Sequence, residues 1–233
     1  MYTFESRIRY SEADMMGKLP IPGILNYFQD CSVFQSEELG VGVRYLAEKK
    51  RAWVLNSWQL MINRLPKECE LVRTTTWASG FQKFHGTRNF VMKDEEGQMV
   101  AYANSIWVYM DLDTGRPIKP SEDEIAVYQS EPPLEMDYQP RKIKMADTWR
   151  ECKPVRVKPD WIDSNQHVNN NRYVKAAYNE LPEGMDIHQV RVEYRKSAKL
   201  GDMLLPRIAK EEERVVVTLC DEEMKPYAVT EFK

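Results

Sequence analysis

The sequence predicts an α+β fold made twice over, each half a long helix wrapped by an antiparallel β-sheet. Three observations carry this expectation. A helical pattern of about 17 residues is followed by four strand patterns in succession. A proline-rich stretch is then followed by a shorter series of the same kind, and residues of the first series line up with residues of the second at constant offsets.

Taken in order, residues 4–10 alternate as a strand, and 11–20 lead irregularly into the first helix. There Pro22 suits the first turn, Ile24, Leu25, Phe28, Cys31 and Leu39 recur near helical spacing, and Gly40 suits the stop. A short segment over 43–50 has helical character. Strand patterns cover 52–65, 70–79, 85–93 and 99–109, separated by Pro66, Gly80 and the tight turn Asp94-Glu-Glu-Gly97. Prolines 117, 120, 132, 133 and 140, among many charges, mark a linker running over the surface. Boundaries are accordingly drawn at 1–116, a linker over 117–148, and 149–233. The second half reads as a strand over 151–157, a polar motif, a helix to 181 stopped by Pro182 and Gly184, and strands over 188–197, 202–210, 214–220 and 226–232.

The offsets can be checked residue by residue. Asp14, Met16, Lys18 and Leu19 stand 149 positions before Asp163, Asn165, His167 and Val168, and Asp94-Glu-Glu96 stands 127 before Asp221-Glu-Glu223. Only the second copy holds the polar cluster, so one active site per chain is expected.

Composition excludes several classes. The 233 residues are 42% apolar and 30% charged with a formal charge of −3, ordinary for a globular protein and unsuited to nucleic acid or an anionic membrane surface. No apolar run reaches the ~20 residues of a membrane span. Cys31, Cys69, Cys152 and Cys220 form no metal-like spacing, and without a secretory leader they read as free thiols in the cytoplasm. His85, His167 and His188 show no paired spacing, and no glycine loop cradles phosphate, so neither metal nor cofactor is expected.

The chemistry concentrates in residues 163–174. Asp163, Asn165 and His167 lie two apart, and an extended backbone would turn all three to one side. Asn169 to Asn171 suit a helix N-cap, and Tyr173, Ala177, Tyr178 and Leu181 continue at helical spacing. The first amides of such a helix lack intrahelical partners and favour an anion in front of them. Asn-rich segments also serve simply as turns and caps, and a single His near a helix start is commonly bonded to backbone.

The run Asp163-x-Asn165-x-His167-Val-Asn-Asn170 followed by Tyr173 resembles the active-site motif of the acyl-ACP thioesterases. The likeness extends, in order, through Arg9-Tyr-Ser-Glu-Ala-Asp14, Asn26-Tyr-Phe-Gln-Asp30, Leu39-Gly-Val-Gly42, Trp53-Val-Leu55, Thr76-Trp77, Gly86-Thr-Arg88, and Trp107 with Asp111-Leu-Asp-Thr-Gly-Arg-Pro117. The resemblance implies a tandem (double) hotdog whose halves mimic a dimer of single hotdogs. It also implies hydrolysis of fatty acyl-[acyl carrier protein] in fatty acid biosynthesis, with Asp163, Asn165 and His167 catalytic. The chain departs from the family where a Glu, followed in plant enzymes by a Cys, comes after a Tyr-Arg-Arg-like strand. Here Ser197 and Ala198 follow Tyr194-Arg195-Lys196. A Cys–His mechanism at that place is excluded unless Cys31, Cys152 or Cys220 comes close in space, and Ser197 is left to hold a water at the substrate.

In the expected reaction Asp163 serves as general base on water or attacks directly, Asn165 orients water or carbonyl, and His167 polarises the carbonyl or shares the proton work. Backbone N–H groups of Val168 and Asn169 would complete an oxyanion hole. Ile24, Leu25, Phe28 and Trp53 suit either an acyl tunnel or ordinary core. The acidic carrier protein would need a basic patch, offered by Arg141, Lys142 and Lys144 or by Arg195, Lys196 and Lys199. An acyl-CoA thioesterase and a non-catalytic acyl-binding hotdog module remain as alternatives, and the chain is expected as a monomeric pseudo-dimer or a homodimer.

Overall fold

The computed structural model describes every residue except Asn165. The chain divides into two units, one of residues 1–56 and 60–138, the other of 57–59 and 139–233. Among the described residues no helix is long and apolar enough to cross a membrane.

The first unit holds β1 (Tyr2–Arg7), α1 (Ile21–Glu38), α2 (Val43–Glu48), β2 (Arg51–Ile62) apart from residues 57–59, β3 (Leu71–Gln82), β4 (His85–Lys93), β5 (Met99–Asp111), β6 (Arg116–Pro117) and α3 (Glu122–Ala126). Its strands lie in the order β1-β3-β4-β5-β2, with β6 paired to β5. The helix forms where expected because Ile21, Ile24, Leu25, Phe28, Cys31, Ser32 and Gln35 recur on one buried stripe. Phe28 stacks on Phe90 of β4 with ring centroids 5.2 Å apart, both fully buried. One buried cation shares this core: the Arg88 guanidinium donates to the Gln35 side chain and to Thr76 Oγ1, and lies 5.4 Å from the centre of the Tyr128 ring.

The second unit holds β7 (Arg150–Glu151), β8 (Val155–Arg156), α4 (Asn170–Tyr178), β9 (Gln189–Tyr194), β10 (Met203–Lys210), β11 (Val215–Cys220) and β12 (Pro226–Phe232). The order here is β9-β12-β11-β10-β7, and β8 also pairs with β10. The expected strand over 151–157 is broken in two because Pro154, between the pieces, has no N–H to give a ladder. The helix stops at Tyr178 rather than 181, since Leu181 precedes a proline and is disfavoured from helical geometry. The strand expected to run to 197 ends at Tyr194.

The stretch expected as a surface linker is packed in both directions. Its first part joins the first unit: α3 carries a Ser121/Glu124 capping box, Glu124 accepts from the Tyr109 hydroxyl at 2.6 Å, and Trp77 Nε1 donates to the Pro132 carbonyl at 2.9 Å. Its last part joins the second, where Arg191 donates to the Pro140 carbonyl and Ile143 is buried against Val216 and Val229. Prolines and charges were read as linker because neither reports a backbone held by distant side chains.

The two units repeat one another in detail. In the first, Leu19 N–H donates to Pro66 C=O, Ile8 N–H to Glu70 C=O, and Lys67 N–H to the Glu70 carboxylate. In the second, Val168 donates to Ala198, Val157 to Asp202, and Lys199 to the Asp202 carboxylate. Asp94 and Asp221 each cap the turn of a hairpin and take a cation, Arg64 at 2.7 Å and Lys196 at 2.6 Å. These bonds add a third constant offset of 132 residues, linking Pro66 with Ala198, to the two read from the sequence.

Two outcomes are expected. Phe28→Ala should cost about 3–5 kcal/mol in denaturant unfolding, through lost burial and the cavity left against Phe90. Arg64 beside Asp94 and Lys196 beside Asp221 hold those carboxyls below the ordinary range. Their contribution to stability is therefore present above about pH 4 and lost as pH falls through the lowered values, so Asp221→Asn should flatten the acid limb of stability against pH.

Candidate active site

The loop that carries the polar cluster lies between a single 3-10 turn at Pro159–Trp161 and the start of α4. Asp163 N–H donates to His167 C=O at 2.8 Å, and His167 N–H donates back to Asp163 Oδ1 at 3.3 Å. Gln166 takes φ of 61° and its N–H donates to Asp163 C=O at 3.0 Å. Ile162 and Val168 pair across the base of the loop.

Asp163 and His167 are thus brought together across a closed turn, not by alternation along an extended strand. The left-handed residue at 166 makes the difference, and Gln gives little warning of it. Asp163 is half-buried and His167 exposed, and among the described residues none hydrogen-bonds to the imidazole. Asn165 lies outside the described residues.

The inactive-looking copy makes the same turn. Asp14 N–H donates to Lys18 C=O at 2.8 Å, Lys18 N–H donates to Asp14 Oδ1 at 3.0 Å, and Gly17 takes φ of 68°. Asp163 therefore has a backbone role in the loop before any chemical one. Position 17 holds the residue best suited to this backbone, whereas position 166 holds a strained substitute.

The expected oxyanion donors are corrected by the same geometry. The Val168 N–H reaches the Ala198 carbonyl at 3.4 Å and the Asn169 N–H donates to the Trp161 carbonyl at 2.8 Å, so both are engaged within the protein. Asn169 is the N-cap of α4, its side chain accepting from the Asn171 N–H at 2.9 Å. Of the first amides of the helix, that of Asn170 bonds to no described residue.

Ser197 is exposed on the irregular segment after β9, next to the Ala198 whose carbonyl Val168 reaches. The family's carboxylate is not replaced by Glu193. Burial opposes its charge, yet Arg195 at 3.0 Å and the Ile143 N–H at 3.0 Å outweigh this and hold its carboxyl below the usual range. No cysteine of the unit is primed as a nucleophile: burial pushes the Cys152 thiol up to about 11 and raises that of Cys220. The walls expected for a tunnel, Ile24, Leu25 and Phe28, are fully buried in the first unit.

Sequence reasoning missed the tyrosines beneath the loop. Tyr173 is expected on a helix face and closes the family motif, with no contact assigned to it, yet its hydroxyl accepts the Ala198 N–H at 2.7 Å. The Tyr194 hydroxyl donates to the Asn170 carbonyl at 3.1 Å.

Sequence models for the N-terminal and C-terminal domains of acyl-ACP thioesterases match residues 1–128 and 144–227. The chain belongs to the acyl-ACP thioesterase family. A chloroplastic acyl-[acyl-carrier-protein] hydrolase of Cuphea viscosissima is 28% identical over 217 residues, covering 84% of this chain and 52% of its own. The chain spans about half the length of the curated relatives it matches. Among solved structures, an oleoyl thioesterase from Lactobacillus plantarum is 27% identical, with a TM-score of 0.87 over 99% of this chain and 94% of its own. An acyl-ACP thioesterase from Bacteroides thetaiotaomicron, 22% identical, shares the fold with a TM-score of 0.90 over 99% and 96%. The fold is the tandem hotdog that the family resemblance implied.

Because Asp163 Oδ1 accepts a backbone N–H, Asp163→Asn should leave thermal stability close to that of the wild type. Asp163→Ala should lose about 0.5–1.5 kcal/mol, measured by denaturant unfolding.

Proposed function

We propose that the chain hydrolyses the thioester of fatty acyl groups on acyl carrier protein, releasing the free fatty acid. The observation that carries the reading is internal. One chain of this family holds the same Asp-closed loop twice, and only the second has an imidazole where the first has Lys18.

In this reading a water attacks the thioester carbonyl carbon while Asp163 takes its proton. The oxygen that becomes negative is met by the open amide at the start of α4, at Asn170, and by His167. The C–S bond then breaks and the pantetheine thiol leaves with the proton returned through Asp163 or His167. Asn165, two residues from each in sequence, orients the water or the carbonyl, and the exposed Ser197 hydroxyl is available to a water at the same place. No step needs a metal or a cofactor.

The acidic carrier protein is received by a basic surface. Arg195 and Lys196 are paired with Glu193 and Asp221, so the candidates are the exposed Lys142, Lys144 and Lys199. The protein acts in the cytoplasm, as a monomeric pseudo-dimer or a homodimer. Acyl-CoA is the alternative substrate, since the reacting thioester is the same in both.

Thiol release from acyl carrier protein and CoA substrates of four to eighteen carbons decides the reading. Turnover should be seen on carrier-bound chains, and His167→Ala and Asp163→Asn should each lower kcat by about tenfold or more without loss of folded protein. Equal turnover by these variants would overturn the assignment. Binding of acyl carrier without thiol release would favour a non-catalytic module. Lys142→Glu with Lys144→Glu should raise KM for acyl carrier protein several-fold and leave acyl-CoA turnover unchanged.

A further inference from the structure

The two copies of the loop differ beneath it as well as within it. At the offsets that match their backbone hydrogen bonds, Ile24, Ile62 and Val100 of the first unit correspond to Tyr173, Tyr194 and Tyr227 of the second. The three aliphatic side chains are buried, at 0%, 7% and 0% exposure, and fill their space without a polar atom. The three tyrosines form a cluster, with Tyr173 6.0 Å from Tyr194 and 6.5 Å from Tyr227 between ring centroids.

A fold that works with aliphatic side chains at these places is therefore available within the same chain. The unit with the acid–base loop carries three hydroxyls instead, two bonded to backbone around that loop and the third to a carboxylate that closes a neighbouring turn. Tyr194 donates to the carbonyl of Asn170, the first residue of α4. Tyr173 accepts the N–H of Ala198, whose carbonyl is in turn reached by the N–H of Val168. Tyr227 donates to Asp202, which accepts the Lys199 N–H and so fixes the turn after Ala198.

The partner of Tyr173 changes with it. Ala198 corresponds to Pro66, which has no N–H and needs no acceptor, and Ile24 offers none. The hydroxyl and the amide are present together in one unit and absent together from the other.

We infer that Tyr173 and Tyr194 are positioning residues for the acid–base loop, gripping it through Ala198 on one side and Asn170 on the other. Together they fix Val168 and the start of α4 on either side of the peptide that follows His167. The grip sets where the imidazole and the first helix amide stand, and it also holds Ser197 beside them. Its catalytic meaning rests on the thioesterase reading; the grip itself does not. Burial pushes the Tyr173 hydroxyl up to about 12 and that of Tyr194 well above its ordinary value, so both remain protonated through any working pH.

Two variants test this. Tyr173→Ile with Ala198→Pro installs the first unit's pair, and Tyr194→Phe removes one hydroxyl. Both are followed by amide hydrogen exchange over residues 166–172, by thermal unfolding, and by kcat and KM on acyl carrier substrates. Both variants should stay folded, exchange at 167–169 should speed up by about tenfold, and kcat should fall by about tenfold with KM and the pH limbs of kcat in place. Unchanged exchange in Tyr194→Phe overturns the grip, and faster exchange with unchanged kcat per folded molecule overturns its part in positioning. Should the double variant fail to fold, Tyr194→Phe alone decides. Should the wild type release no thiol, the thioesterase reading fails, while the exchange comparison still decides the grip.

Discussion

A single carboxylate oxygen accepting the amide four residues further on holds the loop ahead of each helix. Asp14 does this for Lys18 and Asp163 for His167. Without that acceptor an amide near a helix start would turn to water or to another carbonyl, and the closed turn would lose the bond that fixes its width. Everything placed on the loop inherits its position from this bond. The residue at the fifth place of the turn stands across from the aspartate in both units, whether it is a lysine or a histidine. The chemistry is an addition to a frame that the fold already provides.

The rest of each unit serves to keep that frame in register. The amide after the turn donates to a carbonyl in the segment that follows β2 or β9, Pro66 in one unit and Ala198 in the other, and a second aspartate closes a hairpin and takes a cation. Where the units share a bond, the side chains making it are alike in charge, Arg64 with Lys196 and Glu70 with Asp202. Where the first unit lacks the tyrosine bonds of the second, Ile24, Ile62 and Val100 stand in the place of Tyr173, Tyr194 and Tyr227. This is the pattern expected if burial of unpaired polar groups decides which residues a position accepts.

Much of this was legible in the sequence. Helix and strand periodicity placed α1 and β2 to β5 within a few residues, and the offsets of Asp14 from Asp163 and of Asp94 from Asp221 were already visible because turn-closing aspartates tolerate few replacements. The closed turn at 163–167 was not legible, since a run of alternating polar residues suits a strand and the deciding left-handed residue is a glutamine. The engagement of the Val168 and Asn169 amides was not legible either: their acceptors, Ala198 and Trp161, are backbone carbonyls, which any residue supplies. The packing of 117–148 escaped in part for a related reason, because Arg191 and Trp77 hold that stretch through its carbonyls.

A duplicated fold within one chain separates what the backbone requires from what the site requires. Family likeness alone assigns Asp163 to chemistry, but Asp14 shows that the same residue is needed for the turn where no imidazole follows. The role proposed for it is compatible with this one, because the turn uses one oxygen through a backbone N–H and so limits how the carboxylate can rotate. In the reaction proposed above, a base whose orientation is set by the fold would need little reorganisation when the substrate arrives. The missing carboxylate at Ser197 belongs to the same account. A segment whose backbone is tied to α4 through Tyr173 keeps its place beside the loop whichever side chain it carries, so the departure from the family alters one group at the site and leaves the frame unchanged.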